Sequence, residues 1–99
     1  MLNKPGKTMS VEEAQGIATE ALTQLARDPE QVGRFLAVAG IGPESIREAA
    51  AEPGFLAGVL EFYMGDEALL LAFCENANLR PTMIAAARFT LSDDGLFDA

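Results

Sequence analysis

The sequence contains no histidine. Histidine is the side chain that most often acts as a general base near neutral pH, and it completes the Ser-His-Asp arrangement of many hydrolases. It is also the commonest protein ligand of zinc and other transition metals. We therefore expect a protein that is not an enzyme, that has no metal site and that needs no cofactor.

A single cysteine, Cys74, is present, so the chain cannot form an internal disulfide bond. Small secreted domains usually need such bonds, and the lack of one favours a reducing compartment, the cytoplasm. Cys74 lies in an apolar stretch next to Glu75, whose charge disfavours the thiolate. We interpret Cys74 as a buried structural thiol and not as a nucleophile.

Long hydrophobic runs are also lacking. The longest run, residues 68–74, is far shorter than the roughly 20 residues that a membrane-spanning helix requires. The segment 1–7 has a basic character, but Pro5 and Gly6 interrupt it and no apolar stretch follows. The sequence therefore predicts neither a membrane span nor a signal peptide.

Basic residues are few, because 7 lysines and arginines stand against 15 aspartates and glutamates, for a formal net charge of −8. Such a charge repels nucleic acids and anionic membrane surfaces. The expected partners therefore include no nucleic acid and no membrane, whereas a basic or apolar protein surface fits. Solubility is the simplest interpretation of the acidic excess.

Proline and glycine recur at short intervals along the sequence and interrupt it, and the apolar residues between these breaks have helical spacing. Its 99 residues, 49% of them hydrophobic, suffice for one domain that folds unaided. We predict an all-α fold, a compact orthogonal bundle of five or six short helices. The predicted domain covers residues 10–91, between a flexible N-terminal segment at 1–9 and a flexible acidic tail at 92–99.

Capping residues mark the predicted helix starts. Ser10 and Glu13 form a capping box at the start of helix one, and Asp28 caps helix two. Gly40 is placed to close helix two in the left-handed conformation, and Pro43 begins a short third helix. The predicted buried face of helix one consists of Val11, Ala14, Ala18, Ala21, Leu22 and Leu25. That of helix two consists of Val32, Phe35, Leu36 and Ala39.

Helices four and five, predicted over residues 55–64 and 67–78, are apolar around most of their circumference. Such helices must be covered on several sides. Either they form the centre of the core, with a sixth helix over residues 81–91 packed against them, or they bury surplus surface in a two-fold dimer. The candidate interaction surface consists of Phe55, Val59, Phe62, Tyr63, Leu70 and Phe73.

The segment Gly40-Ile41-Gly42 resembles the hairpin of helix-hairpin-helix DNA-binding modules, in which two glycines let backbone N–H groups approach a phosphate. Glu44 stands where a cation often helps, and Ile46 where that family usually has a small residue. These departures and the negative net charge argue against phosphate binding. The simpler interpretation is a helix C-cap followed by a tight turn into Pro43.

A set of short motifs extends over roughly residues 12–91. The motifs are Asp28-Pro29-Glu30, Gly33-Arg34-Phe35-Leu36, Gly40-Ile41, Arg47, Pro53-Gly54-Phe55-Leu56, Val59-Leu60, Phe62, Asp66-Glu67, Leu69-Leu70 and Phe73. In these motifs the chain resembles an uncharacterised family of small, acidic, all-helical alphaproteobacterial proteins, classed as a domain of unknown function. The resemblance implies a bacterial cytosolic protein with a helical fold and no assigned activity, and it transfers no site residue.

Three classes of function stay open at this point. The leading hypothesis is a non-enzymatic cytosolic protein–protein interaction domain, either a homodimer or a domain that binds another protein. The first alternative is a weak nucleic-acid binder that uses the turn at Gly40-Ile41-Gly42. The second is a helical domain that binds a small molecule in a pocket among its aromatic side chains.

Overall fold

A computed structural model describes residues 9–92, and within that range the chain forms helices and no strands. The helices are α1 Val11–Ala26, α2 Pro29–Ala39, α3 Ile46–Ala49, α4 Pro53–Met64, α5 Glu67–Ala77 and α6 Pro81–Leu91. A 3₁₀ helix, Pro43–Ser45, leads directly into α3. The predicted all-α fold class is confirmed. The predictions for the flexible termini fall almost entirely on residues 1–8 and 93–99, outside the described residues.

Side-chain caps begin several helices as predicted. The Ser10 Oγ accepts a hydrogen bond from the Glu13 N–H at 3.0 Å, which caps α1. The reciprocal bond from the Ser10 N–H to the Glu13 carboxylate is not formed between these two described residues, so half of the predicted capping box is present. Asp28 and Asp66 cap α2 and α5 in the same way, at 3.2 and 3.1 Å. These bonds satisfy backbone donors that have no partner within the helix.

Proline occupies the first turn of α2, α4 and α6, at Pro29, Pro53 and Pro81. Proline fits there because its fixed φ is helical and its missing N–H would have no partner anyway. Helix α4 therefore begins two residues before Phe55, the start predicted from the sequence. Helix α5 ends at Ala77, since Asn78 takes a left-handed φ of 60°.

The core is built chiefly where α1, α4 and α6 pack on one another. Small side chains line this junction and allow the helix axes to approach closely. The fully buried alanines are Ala14, Ala18, Ala21 and Ala87. The prediction for Val11 is wrong, because it is the first residue of α1 and is 41% exposed. Ile17, in the middle of the same stripe, is buried instead.

Helix α5 lies at the periphery, so the alternative in which both apolar helices are central is wrong for α5. In α5 only Phe73 and Cys74 are buried, Leu69 and Leu70 are half-buried, and Leu71 is 49% exposed. One side of α5 packs on the bundle and the opposite side faces solvent. Helix α4, in contrast, is central as predicted, because it packs on both α1 and α6.

Candidate interaction groove

An open, mainly apolar groove with a volume of about 440 Å³ lies on the surface between α2 and α4. One wall comes from the C-terminal half of α2, and the other comes from the first three turns of α4. The lining residues are Phe35, Val38, Ala39, Gly54, Phe55, Gly58, Glu61 and Phe62. We refer to this feature as the α2–α4 groove.

The floor of the groove follows from the spacing of three residues on α4. Phe55, Gly58 and Phe62 stand at i, i+3 and i+7, which places them on one face of the helix. A Cβ atom built on Gly58 would meet no other atom within 4 Å. The missing side chain therefore leaves the space between the two phenylalanines empty.

Phe35 anchors α2 against α4 by contacting both phenylalanines of the floor. Its ring centroid lies 5.4 Å from the ring of Phe55 and 5.4 Å from that of Phe62, with interplanar angles of 69° and 72°. These are edge-to-face arrangements, which aromatic pairs prefer over parallel stacking. Phe35 is buried, so the distance between the two walls is held by a packed aromatic cluster.

The outer wall of the groove is more exposed than the sequence predicts. Of the four apolar residues expected on the buried face of α2, Phe35 alone is buried, while Val32 and Leu36 are half-buried. Ala39 is exposed, and its neighbour Val38 is 78% exposed. The prediction for Ala39 is wrong because the end of α2 forms the lip of the groove and is not covered by another helix.

One carboxylate, that of Glu61, belongs to the lining, and Glu61 is exposed. A guanidinium group lies nearby at the Phe62 end, but it already has partners. Arg34 is 5.5 Å from the centre of the Phe62 ring, 4.0 Å from the Asp66 carboxylate, and donates to the Gln31 side chain at 2.8 Å. The lining is therefore apolar with one acidic group.

The structure divides the six residues of the predicted interaction surface into two groups. Val59, Tyr63 and Phe73 are buried in the core, so they cannot contact a partner of the folded chain. That part of the prediction is corrected, because these three side chains face α1 and the rest of the bundle. Phe55 and Phe62 are half-buried and line the groove, and Leu70 is half-buried on α5. For these three an interaction stays a prediction.

Six lining residues were not among the predicted surface residues: Phe35, Val38, Ala39, Gly54, Gly58 and Glu61. A helical projection of α4 that begins at Pro53 places Gly54, Gly58 and Glu61 beside the two phenylalanines, so the residues of this wall can be predicted from the sequence. The residues of the α2 wall cannot be predicted in that way. That wall depends on how two helices that are separated in the chain pack together.

The hairpin at Gly40-Ile41-Gly42 is a helix C-cap. Gly40 has a left-handed φ of 74°, and the N–H groups of Gly40 and Ile41 both donate to the Leu36 carbonyl, at 2.8 and 3.3 Å. A Cβ atom on Gly42 would lie 2.8 Å from the Glu44 carboxylate, so a negative charge sits against this turn. Two N–H groups of the turn are thus engaged within the helix C-cap, and a carboxylate lies beside it.

Cys74 is 5% exposed, and burial raises the pKa of its thiol. Its predicted burial is confirmed. Within residues 9–92, no three side chains of the usual metal-binding types come together as a candidate site. No helix of the same range combines the length and the apolar character that crossing a membrane requires.

Residues 9–92 thus form an all-helical bundle that carries an open, mainly apolar groove. The family model described as "Protein of unknown function (DUF3572)" matches residues 11–94, and the chain belongs to this family. This confirms the resemblance to a family of unknown function, while the alphaproteobacterial origin stays a prediction. No curated protein and no solved structure matches the chain.

Proposed function

We propose that the protein is a non-enzymatic, cytoplasmic protein–protein interaction domain that binds its partner in the α2–α4 groove. The observation that carries this proposal is the convergence of apolar side chains on one open groove, with Val38 at its lip 78% exposed. Single exposed apolar residues are ordinary on a monomer, whereas apolar side chains that converge on one groove are a common feature of binding sites.

The chemistry of the groove supports binding without catalysis. Glu61 is the one ionisable side chain in its lining. Nucleophilic catalysis usually requires an activating group beside the nucleophile, and the lining holds no second ionisable side chain next to Glu61. The one thiol of the chain, that of Cys74, is buried in the core, and burial raises its pKa. The same single buried thiol supports the assignment to a reducing cytoplasm.

A protein ligand fits the shape of the groove better than a small molecule does. Small-molecule sites typically bury more than about 70% of the ligand surface. Here Val38, Ala39, Gly54 and Glu61 are all exposed, so the groove is open along its whole outer side. A larger surface can cover this opening because it contacts the lip as well as the floor.

Self-association is a second candidate function, favoured by apolar surface at the junction of α4 and α5. Met64 at the end of α4 is 39% exposed, and Leu71 on α5 is 49% exposed. A homodimer through α4 and α5 is predicted from the sequence, but with a different set of residues, of which Val59, Tyr63 and Phe73 are buried. Light scattering after size exclusion tests it: a doubled mass that Leu71→Glu returns to monomer supports the dimer, and a monomeric mass at high micromolar concentration rejects it.

Differential affinity capture tests the groove proposal. The tagged protein, its Gly58→Leu variant and its Gly16→Leu variant are used to retain proteins from the native cell extract. Both glycines are helical positions with free space for a Cβ atom, but Gly16 is on α1 and does not line the groove. We expect a retained protein that Gly58→Leu loses and Gly16→Leu keeps. Retention that is the same for all three proteins would contradict the proposal.

A further inference from the structure

We infer that the occupant of the α2–α4 groove is an amphipathic helix of another protein, with lysine or arginine placed beside its apolar stripe to meet Glu61. This inference rests on the proposed function and specifies the partner. Three separate observations indicate the secondary structure, the length and the charge of the occupant.

Because both walls of the groove are helices, we expect the occupant to be a helix and not an extended strand. A bound strand gains its affinity largely from main-chain hydrogen bonds to an exposed sheet edge. In α2 and α4 the backbone groups along the walls are engaged in helical hydrogen bonds. A bound helix satisfies its own backbone internally and needs only an apolar face to bury.

The length of the floor matches two turns of a helix. Phe55 and Phe62 are separated by seven residues of α4, which corresponds to about 10.5 Å along the axis. Apolar residues at i, i+3, i+4 and i+7 of a bound helix cover the same length. The empty space over Gly58 lies between the two rings, where a large anchor side chain of the occupant can insert.

The charges of the groove favour a basic flank on that helix. Among the described residues Glu61 forms no ion pair, whereas the nearby Arg34 is already engaged with Asp66 and the Phe62 ring. The whole chain carries a formal charge of −8, which attracts a basic partner over a longer range. The same charge disfavours a second copy here, since a two-fold axis at the groove would bring two Glu61 carboxylates close together.

Synthetic peptides of about 15 residues, long enough for a marginal helix in water, serve as the probe. The first peptide has leucine at i, i+3, i+4 and i+7 with flanking lysines, and its twin has glutamate in place of every lysine. A third has the composition of the first in scrambled order. Binding to the full chain is followed by fluorescence anisotropy. We expect the basic amphipathic peptide to bind at least about fivefold more tightly than either of the other two.

Two matched pairs of variants assign the binding to the groove. Gly58→Leu should weaken binding of the basic peptide by more than about tenfold while Gly16→Leu does not, because only the first fills the groove. Glu61→Lys should weaken it by about fivefold more than Glu75→Lys, which changes the net charge equally on the exposed side of α5. Circular dichroism establishes that each variant is folded.

The possible outcomes separate the inference from the proposed function. Equal binding of the basic and acidic peptides, with both lost in Gly58→Leu, would overturn the charge assignment and leave the groove as an interaction site. Binding by none of the three peptides would overturn the helical occupant, while a protein captured in a Gly58-dependent manner would still support the interaction domain. A dimer of the free protein that Gly58→Leu abolishes would identify the occupant as a second copy and also overturn the inference.

Discussion

The hydroxyl of Tyr63 donates a hydrogen bond to the main-chain carbonyl of Ala21 at 2.7 Å and thereby joins α4 to α1. The tyrosine is 2% exposed. Burial, and to a smaller extent the charge of Glu20, raise its pKa from 10.0 to about 12. The ionised form is disfavoured because it would lose both solvation and the donated hydrogen bond. The wall of the groove formed by α4 is thus fixed to the core on its opposite side.

This contact predicts a loss of stability at alkaline pH. Since the pKa of Tyr63 is higher in the folded chain than in the unfolded chain, its contribution is fully present below pH 10 and is lost as the pH rises from 10 to about 12. We expect the free energy of unfolding in urea to fall by about 2 kcal/mol over this interval. In Tyr63→Phe, which cannot ionise, the fall should be clearly smaller, and an equal fall in both proteins would contradict the assignment.

Phe73 should be the part of α5 that matters most for stability. It is 2% exposed, and its ring centroid lies 5.1 Å from that of Tyr63. Phe73→Ala should lower the free energy of unfolding by about 3–5 kcal/mol, because it removes a buried aromatic ring. Leu71→Ala on the same helix is the control, since Leu71 is 49% exposed and should cost about 1 kcal/mol or less. Similar losses in the two variants would argue against the peripheral position of α5.

Several helix ends can be predicted from the sequence alone, because capping residues, proline and glycine near each end determine where the helix starts or stops. Ser10 and Asp28 mark starts that the structure confirms, the sixth helix begins at residue 81 as predicted, and Gly40 marks an end. How deeply a whole helix is buried is harder to predict from the sequence. The apolar character of α5 predicts a central helix, yet Leu71 is exposed, because the order in which helices stack depends on distant contacts.

The groove illustrates the same limit. On the α4 wall, Phe55, Gly58 and Phe62 lie on one face at regular spacing. The sequence therefore shows that two large side chains on this face flank a residue without a side chain. The pattern does not reveal that Val38 belongs to the opposite wall. That relationship comes from the packing of Phe35 between the two phenylalanines, a tertiary contact without a local signal.

Gly58→Ala should stabilise the protein. The residue lies in the interior of α4, and a Cβ atom there would meet nothing within 4 Å. Alanine loses less backbone entropy on folding than glycine, so the free energy of unfolding should rise by about 0.5–1 kcal/mol. Gly33→Ala in α2, where a Cβ atom is equally free, provides the comparison and should give a similar gain. A loss of stability at position 58 alone would show that a neighbouring helix crosses closely there.

Binding to duplex DNA should be negligible at physiological salt. The Gly40 and Ile41 donors are engaged with Leu36, and the net charge of the chain is −8. Fluorescence anisotropy with a labelled duplex should therefore show no change up to high micromolar protein. Micromolar affinity that weakens steeply with added salt and is abolished by replacing Gly40 and Gly42 together would instead support a DNA-binding hairpin.

Site-specific photo-crosslinking from the lip of the groove shows whether a partner protein occupies the α2–α4 groove in the cell. A photoreactive phenylalanine analogue replaces Val38, which is 78% exposed beside the groove, and in a second strain it replaces Glu75, which is exposed on α5. Both strains are derived from the organism that normally makes the protein, and the living cells are irradiated. We expect a discrete crosslinked protein from position 38 that is absent from position 75 and is lost when Gly58→Leu is added. Crosslinking that is equal at the two positions, or that persists in Gly58→Leu, would contradict this expectation.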